Sequence, residues 1–381
     1  MKGVMMLINL FPPFGGGTER QAERLAAYLA RQNVFAGVIT RRVDDSPRTE
    51  IRDGVRIIRI REIGPGKIKS LSFIGGAILN IILYAKSFDV LHAHLAFAPA
   101  VAASISGKLI GKRVIVKFGN SGNFGDVQEL NRSWRGRLIL AIIRRWVDLF
   151  IALTEDIELE MLNSRLPPAR IIRMVNGVDT SSFCPTSDKE AAKASIQMAG
   201  KLILLFTGRL TAVKALSNLV QALKQVIGVL PNVQLLLVGD GEERKPLEML
   251  AADLDIESHL TFLERRDSVQ PYLNAADIFI LPSHGEGISN SLLEAMASGL
   301  PCIATNVGGS VDALAQGACG VLISPNNIQQ LVVAILHLAL EPSEMERLGR
   351  LARQRAVDHY DLAVVGAQYL DLYQKLVRGT P

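Results

Sequence analysis

Short apolar segments rich in Val, Ile and Leu alternate with longer amphipathic segments along the whole chain, and this alternation restricts the possible folds most. Continuous short apolar runs are typical of strands that are buried on both faces of a parallel sheet. The amphipathic segments between them predict helices that cover the sheet. Strands are predicted at residues 4–10, 36–40, 55–60, 90–93, 114–117, 149–153 and 171–174, and again at 202–207, 233–238, 260–263, 278–281, 302–305 and 320–323. Helices are predicted at 18–32, 70–86, 98–109, 135–147 and 155–163, and then at 216–229, 242–252, 268–274, 291–298, 310–315 and 328–339.

The series of strands starts afresh at residue 202, which predicts two domains in the 381 residues. We expect an α/β protein with two Rossmann-like, doubly wound parallel-sheet domains that face each other across a cleft, comprising residues 1–180 and 181–359. The polar segment 179–199 is interpreted as the linker, and a C-terminal helix at about 360–381 is expected to pack back on the first domain. Ligands of such sheets bind beyond the carboxyl ends of the strands.

Composition excludes several classes of protein. Hydrophobic residues make up 49% and charged residues 21% of the chain, as in ordinary globular proteins. The longest apolar stretch, residues 71–85, is shorter than a membrane span, so no transmembrane helix is expected. The three cysteines lack metal spacing, which favours a reducing compartment over a disulfide framework.

The positive charge is concentrated in the first half of the chain. Residues 1–180 carry 26 Lys and Arg against 16 Asp and Glu, a balance of +10, and the remainder carries 16 against 21, a balance of −5. We find no nucleic-acid motif, so an anionic membrane surface or an acidic acceptor is the preferred partner. The basic, amphipathic segment 132–146 could lie on such a membrane, although an ordinary helix with its apolar face on the core is the favoured explanation of the pattern.

Residues 283–301 (SHGEGISNSLLEAMASGLP) carry the most informative motif. They follow an apolar strand and open a helix, for which Asn290 is the expected N-cap. Gly285 and Gly287 allow a ligand to approach the backbone, and a helix N-terminus favours an anion such as a diphosphate. Glu286 and Glu294 would then be placed to accept hydrogen bonds from sugar and ribose hydroxyls.

This segment resembles the donor-site motif of glycosyltransferase family 4, whose members are retaining enzymes of the GT-B fold with two glutamates separated by seven residues. Other segments match the family in the same order along nearly the whole chain. They are residues 15–20 (GGGTER), 89–94 (DVLHAH), 176–179 (NGVD), 208–210 (GRL) with Lys214, 238–241 (VGDG) and the pair Gly308 and Gly309.

The resemblance implies a glycosyltransferase that moves a hexosyl group from a nucleoside-diphosphate sugar to a glycan, a lipid-linked or a small-molecule acceptor, with retention of anomeric configuration. Arg209 and Lys214 would neutralise the leaving diphosphate, and Glu286 would hold the donor sugar. Fixed cations are effective here because negative charge develops on the diphosphate as it departs. The implied donor-binding residues are Gly16, Gly17, Gly208, Gly287, Ile288, Ser289, Asn290 and Glu294.

The loop after residue 117 departs from the family pattern, because Phe118, Gly119 and Asn120 stand where many members have a His. This loop is expected on the acceptor side. Acceptor-side candidates are His94, Lys117, Asn120 and Asp126, each of which an ordinary structural role would also explain. Ala215 replaces a frequent Gly and Asp312 a frequent Glu, which leaves the identity of the donor open.

UDP-sugars are the favoured donors and GDP-sugars the next. We expect a role in polysaccharide or cell-envelope biosynthesis in the cytoplasm. Peripheral contact with the inner face of the membrane would fit the basic first half of the chain. We expect no cofactor, no obligatory metal and no nucleic acid: the DxD-like Asp253 and Asp255 follow a helix, and no third ligand accompanies His92 and His94.

Two alternatives remain, a sugar-nucleotide epimerase or phosphorylase on the same fold and a non-catalytic nucleotide-sugar-binding protein. A nicotinamide dehydrogenase fits poorly, because Gly15, Gly16 and Gly17 lack the GxGxxG spacing.

Overall fold

The computed structural model describes residues 1–122, 125–266 and 268–379. Asn123 and Phe124 of the predicted acceptor-side loop, and the last two residues of the predicted C-terminal helix, lie outside the described residues. The chain divides into two compact units. The first comprises Met1–Gly177 and Leu362–Pro381, and the second comprises Val178–Asp361.

The first unit contains an eight-stranded sheet within its described residues, in the order β3-β4-β2-β1-β5-β6-β7-β8. All neighbours are parallel except β3 and β4, which form an antiparallel hairpin at one edge. The order reverses between β1 and β5, because the strands that follow β1 lie to one side of it and those from β5 onward lie to the other. The strands are β1 (Gly3–Leu7), β2 (Phe35–Arg41), β3 (Thr49–Arg52), β4 (Val55–Ile60), β5 (Val90–His94), β6 (Arg113–Phe118), β7 (Leu149–Ala152) and β8 (Ile171–Arg173).

Helices connect these strands and cover the sheet. The helix α1 begins after Gly16, whose backbone N–H donates to Glu19 Oε2 over 2.7 Å, so this acidic residue satisfies a donor at the helix start. The helices that precede residue 178 are α1 (Gly17–Arg31), α2 (Gly66–Leu83), α3 (Ala98–Ile110), α4 (Asp126–Asn131), α5 (Trp134–Trp146) and α6 (Glu155–Asn163).

The last helix of the chain, α15 (Leu362–Arg378), belongs to the first unit. Its apolar face contributes Val365, Tyr369, Leu372, Tyr373 and Leu376 to the same core as residues of β1, β2 and α1. This core therefore combines the beginning and the end of the chain.

The second unit contains a six-stranded, all-parallel sheet in the order β11-β10-β9-β12-β13-β14. Numbered from its own first strand, this order is 3-2-1-4-5-6, which is that of a Rossmann sheet and reverses direction between β9 and β12. The strands are β9 (Leu202–Thr207), β10 (Val233–Val238), β11 (Leu260–Leu263), β12 (Ile278–Leu281), β13 (Cys302–Thr305) and β14 (Val321–Ile323).

The segment 179–199, interpreted from the sequence as a linker, is part of the second unit, and that interpretation is wrong. It contains α7, in which the Lys193 Nζ lies 3.0 Å from Asp277 Oδ2 in a buried ion pair. The helices of this unit are α7 (Lys189–Ser195), α8 (Leu216–Ile227), α9 (Arg244–Asp253), α10 (Gln270–Ala275), α11 (Asn290–Ala297), α12 (Gly308–Ala313), α13 (Ile328–Leu340) and α14 (Pro342–Arg355).

Candidate active site

The reversal of strand order in the second sheet lies between β9 and β12, and two loops follow these strands at its carboxyl edge. Helices leave the two strands toward opposite faces, which opens a crevice between the loops. The loop after β9 carries Arg209 and Lys214, and the loop after β12 carries Glu286. The residues predicted to be catalytic therefore come from the two loops that flank the reversal point.

Glycines let the loop after β9 pack closely against its neighbour after β10. Gly208 donates its N–H to the Val238 carbonyl over 3.0 Å, and a β-carbon at Gly239 would lie only 1.9 Å from the Gly208 carbonyl oxygen. Gly239 also has a φ of +146°, which favours glycine. Arg209 follows Gly208, and its side chain is exposed and has no hydrogen-bond or ion-pair partner among the described residues. A guanidinium in that position is available to a ligand.

Lys214 ends a short 3-10 turn and pairs with Glu286 across the reversal point. The two loops are also joined through their backbones, since the His284 N–H donates to the Val213 carbonyl over 2.8 Å. Ala215, which follows the lysine, has a φ of +49°. This left-handed conformation favours glycine over alanine at that position.

Glu286 lies in an enclosed position with two hydrogen-bond donors on one carboxylate oxygen. Lys214 Nζ and Ser283 Oγ both donate to Oε1, the latter over 2.6 Å, and only 9% of the Glu286 side chain is exposed. The ion pair and the hydroxyl compensate the cost of burying this carboxylate. Ser283 itself was not predicted as a site residue, although its position directly beyond an apolar strand was a signal for it.

The glutamate loop leads into α11 as predicted, but the N-cap residue is Ser289 and not Asn290. The predicted cap is wrong by one position, because Asn290 already begins the helix. Ile288, Ser289 and Glu294 are mostly buried around this helix start. The motif residues therefore form a packed turn at a helix N-terminus, where the helix dipole favours an anion.

Gly308 and Gly309 begin α12, and Gly309 packs directly on the glutamate loop. A β-carbon at Gly309 would lie 2.3 Å from the carbonyl oxygen of Gly287 and 2.9 Å from the α-carbon of Ile288. The Gly309 N–H also donates to the Glu286 carbonyl over 3.4 Å. Gly309 thus holds the backbone on either side of Gly287 in place.

In the first unit, the glycine loop lies between β1 and α1, at the corresponding reversal of strand order. Gly16 is the N-cap of α1 and Gly17 its first residue, while Gly15 has a φ of +105°. The structure therefore places Gly16 and Gly17 at a helix N-terminus, as their predicted contact with a diphosphate requires. That contact stays a prediction.

The structure buries the side chains of His94 and Lys117, two of the predicted acceptor-side residues, and their role toward an acceptor stays a prediction. His94 is fully buried and stacks on His92 with 4.3 Å between ring centroids. Lys117 is 5% exposed, donates to Asn176 Oδ1 over 2.8 Å, and lies 5.5 Å from the centre of the Tyr369 ring. Both side chains are enclosed between the sheet and α15.

Burial shifts the proton equilibria of this enclosed group strongly. It lowers the pKa of Lys117 to about 7 and that of His92 to about 3, because charge is disfavoured away from water. Burial also lowers the pKa of His94 well below its ordinary value. The Tyr373 hydroxyl lies 2.8 Å from His92 Nδ1 and ties the helix to the strand. These residues form a buried polar cluster within the first core.

Of the remaining acceptor-side candidates, Asp126 is buried and Asn120 is exposed. Asp126 Oδ2 accepts the Gly119 N–H over 2.6 Å. This carboxylate therefore stabilises the loop after β6 and is not exposed to a sugar acceptor. Burial raises the pKa of Asp126 to about 6, although the hydrogen bonds from the loop oppose this shift. Asn120 is the one predicted acceptor-side residue that the structure leaves accessible among the four.

The described residues contain no group of three His, Cys, Asp or Glu side chains that could hold a metal ion. Within the same residues, no helix has both the length and the apolar character that crossing a bilayer requires.

Comparison with known proteins covers both halves of the chain. Residues 15–182 match the family described as Glycosyltransferase Family 4, and residues 188–355 match the family described as Glycosyl transferases group 1. The chain is 26% identical to 2-deoxystreptamine N-acetyl-D-glucosaminyltransferase of Niallia circulans over 94% of its own length and 97% of that protein. It is 25% identical to UDP-Gal:alpha-D-GlcNAc-diphosphoundecaprenol alpha-1,3-galactosyltransferase of Escherichia coli over 78% of each chain.

Solved structures show the same fold at lower identity. The crystal structure of Anabaena HepE in complex with UDP and glucose has a TM-score of 0.83 and 18% identity, with 98% of this chain and all of that chain covered. The epimerase, phosphorylase and non-catalytic alternatives are not favoured, because the matched families and relatives are glycosyltransferases. With both halves matched in order and the Rossmann-like sheets in place, the chain is a glycosyltransferase of the GT-B fold, in which a Glycosyltransferase Family 4 region is followed by a Glycosyl transferases group 1 region.

Proposed function

We propose that the protein transfers a hexosyl group from a UDP-sugar, with retention of anomeric configuration, and that the second unit binds the donor. The observation that carries this proposal is the pairing of Lys214 with Glu286 where the strand order reverses. A cation, a carboxylate and a helix start are thereby gathered at the edge of the sheet where Rossmann folds bind nucleotides. A UDP-galactose-using relative and the UDP complex of HepE support uridine, and GDP-sugars are the second choice because a GDP-mannose-dependent relative is 25% identical over 54% of this chain.

In the proposed reaction, Lys214 and Arg209 stabilise the diphosphate as its bond to the sugar breaks. Lys214 is already oriented by Glu286, so little reorganisation accompanies the development of charge on the leaving group. Arg209 is exposed and can turn toward a bound phosphate. The start of α11, with Gly287, Ile288, Ser289 and Asn290, adds a positive dipole end on the same ligand.

Glu286 is proposed to hold the hydroxyls of the donor sugar and Glu294 those of the ribose. Ser283 and Lys214 already occupy Oε1 of Glu286, which leaves Oε2 as the atom that would accept from the sugar. The acceptor would bind to the first unit, where Asn120 is an accessible side chain. We propose no protein nucleophile, no metal and no cofactor for this reaction.

The donor assignment can be tested by titrating UDP-, GDP- and ADP-sugars into the protein in a calorimeter. Lys214→Met should weaken binding of the preferred UDP-sugar by about ten-fold or more, since a charge-assisted contact to phosphate contributes about 1.5–3 kcal/mol. Lys224→Met is the matched control, because Lys224 is an exposed residue of α8. Equal affinity in all three proteins would refute the assignment.

Stereochemistry requires a separate test. The anomeric configuration of the product, read by proton NMR during turnover, should equal that of the donor. An inverted product would remove retention from the proposal while leaving donor binding intact.

We also propose that the protein works in the cytoplasm, in polysaccharide or cell-envelope biosynthesis, and contacts an anionic membrane through its first unit. The charge balance of +10 over residues 1–180 supports this contact. The free thiols of Cys184, Cys302 and Cys319 fit a reducing compartment. Sedimentation with anionic but not with zwitterionic vesicles at low salt is the expected result.

A further inference from the structure

An open pocket of about 520 Å³ lies between α5 and α6 on the first unit, away from the residues discussed above. Three arginines line it, namely Arg137, Arg144 and Arg165, together with Asn131 and Asn163. Arg137 and Arg144 are two turns apart on α5 and therefore project from the same side of that helix. Arg165 follows the end of α6 and reaches the pocket from the opposite wall.

Nothing within the described residues neutralises these three guanidinium groups. No carboxylate lines the pocket, and none of the three arginine side chains has an ion-pair or hydrogen-bond partner in that part of the chain. Converging like charges repel each other, so the arrangement is unfavourable until an anion occupies it.

A second open pocket in the same unit provides a contrast. It is also lined by basic residues, but there Lys112 lies 3.5 Å from Asp89 and Arg113 lies 2.9 Å from Asp148. Two of its four basic lining residues are therefore paired with acidic side chains of the same pocket. Of these two pockets, only the one between α5 and α6 has several basic side chains and no acidic one among its described lining residues.

Arginine rather than lysine lines the pocket, which indicates a phosphate as the anion. The planar guanidinium donates two parallel N–H groups to two oxygens of one phosphate, and three such groups can surround it. Leu140 at the base of the pocket is apolar and offers no hydrogen-bond acceptor that would compete with the phosphate for the arginines.

The surface of α5 beside the pocket favours a lipid as the source of that phosphate. Trp134 is 65% exposed and Leu138 is 53% exposed on this helix. No acidic residue occurs in α5, which carries Arg135 and Arg145 in addition to the two pocket arginines. Exposed apolar side chains among arginines match the boundary between phosphate headgroups and acyl chains.

We propose that Arg137, Arg144 and Arg165 bind the phosphate of an anionic phospholipid headgroup, with Trp134 and Leu138 entering the adjoining apolar layer. This inference deepens the proposed membrane contact by giving it a site. It does not depend on the assignment of the donor.

The test compares two variants of equal charge in the first unit. Arg137→Gln/Arg144→Gln removes two pocket arginines, and Arg31→Gln/Lys86→Gln removes two exposed cations that lie outside α5 and line neither pocket. Each protein is sedimented with phosphatidylglycerol vesicles and with phosphatidylcholine vesicles, and unaltered thermal unfolding establishes that the variants are folded. The pocket variant should bind phosphatidylglycerol about 30-fold more weakly than the wild type, from about 1 kcal/mol for each arginine. The control variant should lose much less.

Three results would overturn the assignment of the pocket. Equal losses in both variants would mean that only the total charge matters, so the membrane contact would stand without the site. Equal binding of the wild type to both kinds of vesicle would remove the requirement for an anionic headgroup. Calorimetric binding of inorganic phosphate, lost in the pocket variant but without any binding to phosphatidylglycerol, would assign the pocket to a soluble phosphate instead and refute both the lipid and the membrane contact.

Discussion

Replacement of Gly309 by Ala tests whether the paired glycines of α12 hold the glutamate loop in place. The added β-carbon would lie 2.3 Å from the Gly287 carbonyl oxygen, 2.7 Å from its carbonyl carbon and 2.9 Å from the Ile288 α-carbon. Ordinary carbon–oxygen contacts are about 3.3–3.6 Å, so the overlap is about 1 Å. All three neighbours are backbone atoms, and a side-chain rotation cannot relieve the contact. We therefore expect the loop to move.

The size of the effect follows from two opposing contributions. Overpacking of this kind costs about 1–3 kcal/mol, while alanine in a helix gains about 1 kcal/mol over glycine. The net loss of up to about 2 kcal/mol should lower the unfolding temperature of the second unit by up to roughly 8 °C. A shift of about 1 Å in the loop that carries Glu286 should lower turnover by about 100-fold.

The assay combines thermal unfolding with turnover of the preferred nucleotide sugar. Gly75→Ala is the matched control, because Gly75 lies inside α2 and a β-carbon there would have no atom within 4 Å. The control should unfold at the same or a slightly higher temperature with unchanged activity. A Gly309→Ala protein with wild-type turnover and unfolding temperature would refute the packing argument.

Three further predictions have defined outcomes. Ala215→Gly should stabilise the protein by about 0.5–1 kcal/mol, since relief of a left-handed alanine (about 1–2 kcal/mol) exceeds the added entropy of the unfolded chain; a lower unfolding temperature would contradict this. Lys117→Met should flatten the pH dependence of stability. Because the folded pKa of Lys117 is about 7 and its ordinary value is 10.5, the unfolded chain binds the extra proton between these values, and the wild-type free energy of unfolding should rise across that window by at most about 5 kcal/mol. Denaturant titrations at several pH values measure this rise, and an equal rise in the variant would exclude Lys117 as its source. Lys214→Met and Glu286→Gln should be non-additive in stability by about 1–3 kcal/mol, because either change alone leaves the other side chain without its partner; additive losses in the double variant would mean that the ion pair contributes nothing.

The sheets could be predicted from the sequence because their strands are continuous apolar runs. The hairpin strand β3 was missed, since its residues alternate in exposure and gain their order from pairing with β4. A signal for it was present in Asp53 and Gly54, whose positive φ values form the tight turn of the hairpin. Helix α7 was missed for a similar reason, because a tertiary ion pair with Asp277 stabilises this short helix within a polar segment.

The site was predictable in its residue types but not in all of its contacts. The spacing of Glu286 and the basic residues indicated an anion site, yet the pairing of Lys214 with a residue 72 positions away depends on the strand order. His94 was expected near the cleft, whereas the structure buries it against His92. Alternation on β5 places His92 and His94 on one face, but it cannot reveal that a helix from the end of the chain covers that face.

Because α15 supplies Tyr369 and Tyr373 to a core that begins at β1, the order of synthesis differs from the order in which the units can be completed. A ribosome would release every residue of Val178–Asp361 before it released the helix that the first unit still lacks. We therefore expect the second unit to fold first on the nascent chain. Until α15 is released, the strands of the first unit would remain in a partly exposed intermediate that a chaperone could bind. For the same reason, a stop codon a few residues before α15 would damage the part of the protein that was made first.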